Sequence, residues 1–191
     1  TNDDFPLQKA FKKFNTREHD VDISLSVSAP REVEQLILNG SAHIAIGPVI
    51  ANNEGLDYQP LFDEHLALYC GRTHPLFGKA PDSLKAKDFS NVQFSIRKYL
   101  EKAEYTKWGI ERPRAFVSNM EAQATLILSG HYIGYLPSHF AKYWIDKGDL
   151  HRLSRPEDEF YSTFQLITKK GVRPTAPQRA FMEDLLDLAS I

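Results

Sequence analysis

The side chains best suited to covalent chemistry are a single cysteine, Cys70, and seven histidines, of which His65 and His74 flank it in "HLALYCGRTHP". A cysteine nucleophile needs a base within hydrogen-bond reach and a third group to orient that base. The histidines form no spaced constellation of that kind, and a cysteine that ends an apolar run packs as a small core hydrophobe. No His or Cys pair has metal-ligand spacing. These residues predict no enzyme activity, no metal and no cofactor. Binding chemistry is the alternative. Ser28 with Ala29, and Ser118 with Asn119, open helical runs whose free N–H groups favour an anion. Ser95 and Arg97 close the apolar stretch "VQFSIR", and a guanidinium can hold a carboxylate bidentately. Gly47-Pro48 and Leu136-Pro137 end two further apolar stretches, where glycine lets backbone approach a ligand and proline fixes the exit. Asp3 and Asp4 oppose an anion. The expected ligand-binding set is Ser28, Ala29, Gly47, Pro48, Ser95, Arg97, Ser118, Asn119 and Pro137, and the expected ligand is a small organic molecule, preferably anionic.

A repeat positions these residues. "LILNGSAHIAIGP" (36–48) and "LILSGHYIGYLP" (126–137) each end a helical run on glycine, write a short strand and stop at proline. Before the first copy, Leu7, Ala10, Phe11 and Phe14 repeat at helical spacing within 5–14, and "VDISLSV" (21–27) alternates like a strand. Helix, glycine and strand follow, so the first half reads β-α-β with parallel pairing. Residues 71–91 read as surface connection. The second half restarts with strands at 92–96 and 114–117. Ser118 with Glu121 reads as a capping box opening the next helix. A strand at 131–137, a helix ending at Gly148, a strand at 162–170 and a helix over 177–189 complete the chain. Parallel-sheet α/β is the class. Extended segments near 62–71 and 160–169 join the halves, which predicts two lobes, 1–70 with 165–191 and 71–164, hinged on two crossing strands. In parallel α/β sheets ligands bind beyond the carboxyl ends of the strands, where the candidate residues cluster.

Composition narrows the partners. The chain has 191 residues and is 42% hydrophobic and 25% charged, an ordinary globular balance. Its 23 Lys+Arg and 25 Asp+Glu leave −2, which is no footprint for nucleic acid. No apolar run approaches the roughly 20 residues of a membrane span. One cysteine fits a reducing compartment, the cytoplasm. Trp108 and Trp144 read as core or interface packing.

The long stretch "FPLQKAFKKFNTREHDVDISLSVSAPREVEQLILNGSAHIAIGP" resembles the opening of the effector-binding domain of LysR-type transcriptional regulators. "PLFDEHLALYCGRTHPL" is similar to that family's crossover. "VSNMEAQATLILSGHYIGYLPSHFAKYWIDKGDLHRL" resembles its second-lobe helix and the strand that follows. The resemblance covers essentially the whole chain. It implies a two-lobed fold like type 2 periplasmic solute-binding proteins, a small inducer in the interlobe cleft, and self-association as a dimer. It also implies that DNA is reached only through a winged helix-turn-helix domain outside this sequence, and that most of the family's first strand is missing. The alternative is a transport-type solute-binding protein of the same fold.

Overall fold

The computed structural model describes residues 6–17, 20–49, 52–97 and 103–189. Asp3 and Asp4 lie outside them. The chain divides into two compact units, 1–63 with 163–191, and 64–162.

In the first unit, α1 (Pro6–Asn15) lies against α6 (Ala176–Ala189). The helical spacing of the sequence explains the contact, since Ala10 and Phe14 are buried on that face. The Phe181 ring packs 4.9 Å from Phe11 and edge-on to Phe14 at 5.5 Å. Asp184, fully buried on α6, pairs with Lys13 at 3.0 Å and with Arg17. β1 (Ala45–Pro48) pairs antiparallel with β7 (Phe160–Lys169), Ala45 opposite Ile167 and Pro48 opposite Phe164. On its other side β7 neighbours β2 (Leu56–Gly71). α2 (Pro30–Leu38) buries Ile37 with Leu56 and Ile167.

Three expectations for this unit are corrected. Residues 21–27 form no strand: they pair with no described strand and leave Val21, Ile23, Leu25 and Val27 exposed. Alternation marks a strand only where one face is buried, and here neither is. The first half is therefore not a parallel β-α-β unit, because the recorded partner of β1 is antiparallel β7. The N-cap of α2 is Ala29, one residue after Ser28, with the Ala29 amide donating to the Glu32 carboxylate at 3.3 Å.

The second unit is built on parallel strands. β3 (Gln93–Arg97) lies between β4 (Ala115–Val117) and β5 (Tyr132–Pro137), parallel to both. The far half of β2 runs antiparallel to β5, and β6 (Leu150–Arg152) adds to the end of β2. Alternation along β2 divides two cores. Leu66, Leu68 and Cys70 join Phe94, Ile96, Ile133 and Trp108 on one side. Ala67 and Tyr69 meet α4 (Met120–Leu128) and α5 (Ser138–Asp146) on the other, through Ala124, Ile127 and Ala141. The connection over 71–91 holds two short 3-10 turns, and a four-residue helix α3 (Ala103–Thr106) follows β3. Both copies of the repeat end their helix in the same way, Gly40 at φ 80° and Gly130 at φ 77°, the left-handed conformation that stops a helix at low cost to glycine. No helix among the described residues is long and apolar enough to cross a membrane.

Candidate functional site

Because β3, β4 and β5 are parallel, their carboxyl ends fall along one edge of the second unit. Arg97 ends β3 opposite Val117, so Ser118 and Asn119 follow directly beside it. Pro137 ends β5 opposite Leu66, so the preceding residues of β2, Glu64 and His65, reach the same edge from the antiparallel strand. Four of the nine expected residues, Arg97, Ser118, Asn119 and Pro137, thus belong to one sheet edge, while Ser95 lies in the middle of β3, opposite Ala115.

Asn119 is the N-cap of α4: its Oδ1 accepts from the Ala122 amide at 2.9 Å. Ser118 is not the cap, a correction of one residue. Asparagine and serine cap comparably well, so the residue pattern alone did not separate the two. Ser95 is fully buried; its hydroxyl donates to the Ile133 carbonyl at 3.2 Å, and its own carbonyl accepts from Gln123 Nε2 at 2.8 Å. Gly134 makes this possible, because a Cβ there would stand 2.1 Å from Gln123 Nε2. One face of α4 is thereby locked onto β3 and β5.

Two opposite charges are buried at this edge. Arg97 is 2% exposed and Glu64 is 3% exposed. Burial penalises the charged form of Glu64 and pushes its carboxyl up from 4.5 to about 7, against the pull of the Arg97 charge. Among the described residues, Glu64 Oε2 accepts no hydrogen bond, nor does Gln123 Oε1.

Next to Glu64 lies a string of polar groups. Ser138 Oγ is 2.9 Å from His65 Nδ1, and His65 Nε2 is 2.7 Å from Glu159 Oε2. Glu159 also accepts from Arg152 and, at 2.6 Å, from Ser154 Oγ, which itself accepts from the Leu68 amide at 3.0 Å. The order is that of a serine nucleophile, a base and an acid. The Glu159 carboxylate is fully occupied, so the string pins the start of α5 and the segment before β7 onto β2. Cys70 is fully buried and its thiol is pushed up to about 12 by burial. Trp108 donates from Nε1 to the Tyr135 hydroxyl at 3.0 Å inside the core. No group of His, Cys, Asp and Glu among the described residues has the geometry of a metal site.

In the first unit, Ser28 and Ala29 lead into α2, Gly47 and Pro48 end β1, and α2 packs on β1. The second unit also has a concavity of about 420 Å³ lined by His74, Gln93 and His131 among others. It opens at the amino ends of β3 and β5, the edge opposite Arg97 and Pro137.

Sequence reasoning did not single out Glu64, Gln123 and Ser138, and it weighed His65 only as a neighbour of Cys70. Their signal was weak: Glu64 and His65 follow Asp63 in a polar triplet between apolar residues, and Ser138 follows the Leu-Pro strand end. The string joins residues 65, 138 and 159, and nothing in their spacing announces it.

The model of the family described as the LysR substrate binding domain matches residues 4–190. A curated relative, the HTH-type transcriptional activator BauR of Pseudomonas aeruginosa, is 35% identical over 164 residues, covering 85% of this chain and 54% of the relative. The chain therefore spans about half the length of that relative. Among solved structures, the effector-binding domain of QuiR in complex with shikimate aligns with a TM-score of 0.79 at 17% identity, over 98% of this chain and 92% of that one. The regulatory domain of CcmR from Synechocystis, in complex with 2-PG, aligns at 0.76 and 19% identity over 96% and 90%. Full-length CbnR in complex with its target DNA aligns at 0.67 and 20% identity over 97% of this chain and 66% of that one. These likenesses show the two-lobed fold of the type 2 periplasmic-binding-protein kind.

Proposed function

The chain belongs to the LysR substrate-binding domains, the effector-sensing part of LysR-type transcriptional regulators, and we propose that it binds its effector at the carboxyl edge of β3, β4 and β5. The observation that carries this reading is the meeting of Arg97, the amino end of α4 and the buried Glu64 at one sheet edge. Charged groups are buried at a strand end at considerable cost unless a partner balances them. Ser118 and Asn119, exposed beside Arg97, offer hydroxyl and amide hydrogen bonds, and the amino end of α4 favours an anion by about 0.3–1 kcal/mol when exposed. Ser28, Ala29, Gly47 and Pro48 are the proposed contacts contributed by the first unit. The Ser138–His65–Glu159 string acts as a strut, and the chain catalyses nothing. Family membership favours the sensing role over the transport-type alternative.

In the full-length regulator, occupied and empty states differ in how β2 and β7 carry the chain from one unit to the other. That difference alters the presentation of the DNA-binding domains of a dimer in the cytoplasm. A thermal-shift screen of small organic acids, phosphates and their neutral analogues, followed by calorimetry on each hit, tests the binding reading. Saturable binding that Arg97→Gln weakens at least tenfold is expected. Binding indifferent to Arg97→Gln and to Ser118→Asp together overturns the assignment of this edge.

A further inference from the structure

Glu64 is hard to reconcile with an effector that is only an anion. It is a buried carboxylate at the edge where Arg97 and the amino end of α4 gather positive charge, and one of its oxygens accepts nothing among the described residues. Gln123, on the first turns of α4, buries a second acceptor oxygen that meets no partner among the described residues. Acceptors of this kind call for N–H donors from outside the fold.

We propose that the effector is a small zwitterion, an amino-acid-like molecule whose carboxylate faces Arg97 and the amino end of α4 and whose ammonium group is received by Glu64. The inference rests on the sensing reading above and names the ligand class of that same edge. Its logic is charge balance. A plain carboxylate would be attracted by the Arg97 charge but sit close to the Glu64 charge, leaving the buried Oε2 unmet. A plain amine would meet Glu64 but approach the guanidinium and the positive end of the helix. Only a molecule with both charges is attracted by both halves, and each half repels the analogue that lacks the matching group. Sites that bury a polar group for one ligand atom reject analogues without that atom by large factors, because the group is then left unpaired.

The test uses the purified chain and one carbon skeleton: α-, β- and γ-aminobutyrate against butyrate, succinate and butylamine, followed by the common L-amino acids, all by calorimetry at neutral pH. At least one amino acid is expected to bind about tenfold or more tighter than its deaminated and decarboxylated counterparts. Its binding should release protons, read as an enthalpy that varies with the ionisation enthalpy of the buffer. Glu64→Gln keeps the shape and removes the charge. It should cost the zwitterion about tenfold in affinity, abolish the proton release, and leave a carboxylate without an amine bound as well or better. Unchanged melting of Glu64→Gln, or a gain, shows that the fold is intact. Carboxylates binding as well as their amino counterparts, with Glu64→Gln indifferent to both, would overturn the zwitterion and leave the sensing edge standing. Silence from every amino acid, while the wider acid screen gives hits, overturns it equally. Silence from both sets would remove the sensing reading as well.

Discussion

Glu64→Gln also makes a prediction that needs no ligand. In the folded chain the Glu64 carboxyl is pushed up from 4.5 to about 7, chiefly by burial, with Arg97 pulling the other way. The native state then holds this proton more tightly than the unfolded state. Between these two values the native state binds more protons, so stability falls as pH rises. The contribution is fully present below 4.5 and is gone once pH passes about 7. At 1.36 kcal/mol for each unit of pKa, the full span is worth about 3 kcal/mol, and about 2.5 kcal/mol of it falls between pH 5 and pH 8. Glu64 is only 3% exposed, so solvent screening removes little of this. Urea unfolding followed by tryptophan fluorescence is the assay, since both tryptophans, Trp108 and Trp144, belong to the same unit as Glu64. The useful quantity is the stability of Glu64→Gln minus that of the native sequence at each pH. This difference cancels the titration of His74 and His139, both lowered chiefly by burial in either protein. It should grow by about 2.5 kcal/mol from pH 5 to pH 8. A difference independent of pH would refute the reasoning, because it would mean that Glu64 titrates alike in both states.

Cys70 should not react with iodoacetamide in the native chain at pH 8, where a buried thiol pushed up to about 12 supplies almost no thiolate; mass spectrometry should show alkylation only after denaturation. Asn119→Ala should lower stability by about 1 kcal/mol through loss of the α4 cap, while Ser118→Ala should stay within about 0.5 kcal/mol; the reverse order would restore Ser118 as the cap. Gly134→Ala should cost about 1–3 kcal/mol in urea unfolding, because the new methyl meets Gln123 Nε2 and the Ser95 backbone at once; an unchanged midpoint would show that Gln123 is not held there.

Much of the second unit was legible because its information is local. Apolar periodicity gave α4 and α5, glycines at 130 and 148 gave their ends, and the Leu-Pro exit gave the end of β5. Arg97 entered the candidate set because a guanidinium that closes an apolar strand can hold a carboxylate bidentately. The cap of α4 slipped by one residue because Ser118 and Asn119 are both good caps, and only hydrogen-bond geometry separates them. Glu64 was hidden for a different reason. In "FDEHLALYC" it stands among polar neighbours, and its burial follows from pairing that lines β2 up with β5, whose residues lie about 70 positions away. The Ser138–His65–Glu159 string was illegible in the same way, since its members meet only after three elements have paired.

The two copies of the repeat make the same point in a sharper form. "LILNGSAHIAIGP" and "LILSGHYIGYLP" both produce a helix, a left-handed glycine, a strand and a proline exit, as their local chemistry dictates. Yet β5 lies parallel to β3 and antiparallel to β2, whereas the recorded partner of β1 is antiparallel β7. Partner choice is not written in the repeat. It depends on which other strands are available and which apolar faces they present. Residues 21–27 show the consequence, with a strand-like alternation but no described strand beside them and both faces exposed. An anion-favouring edge needs several parallel carboxyl ends side by side, and among the described strands three such ends gather in the second unit, at Arg97, Val117 and Pro137. The charge-bearing edge that we propose for the effector therefore lies with the copy of the repeat whose strand gains a parallel neighbour, and Arg97 and Glu64 are the residues that give that edge its two signs.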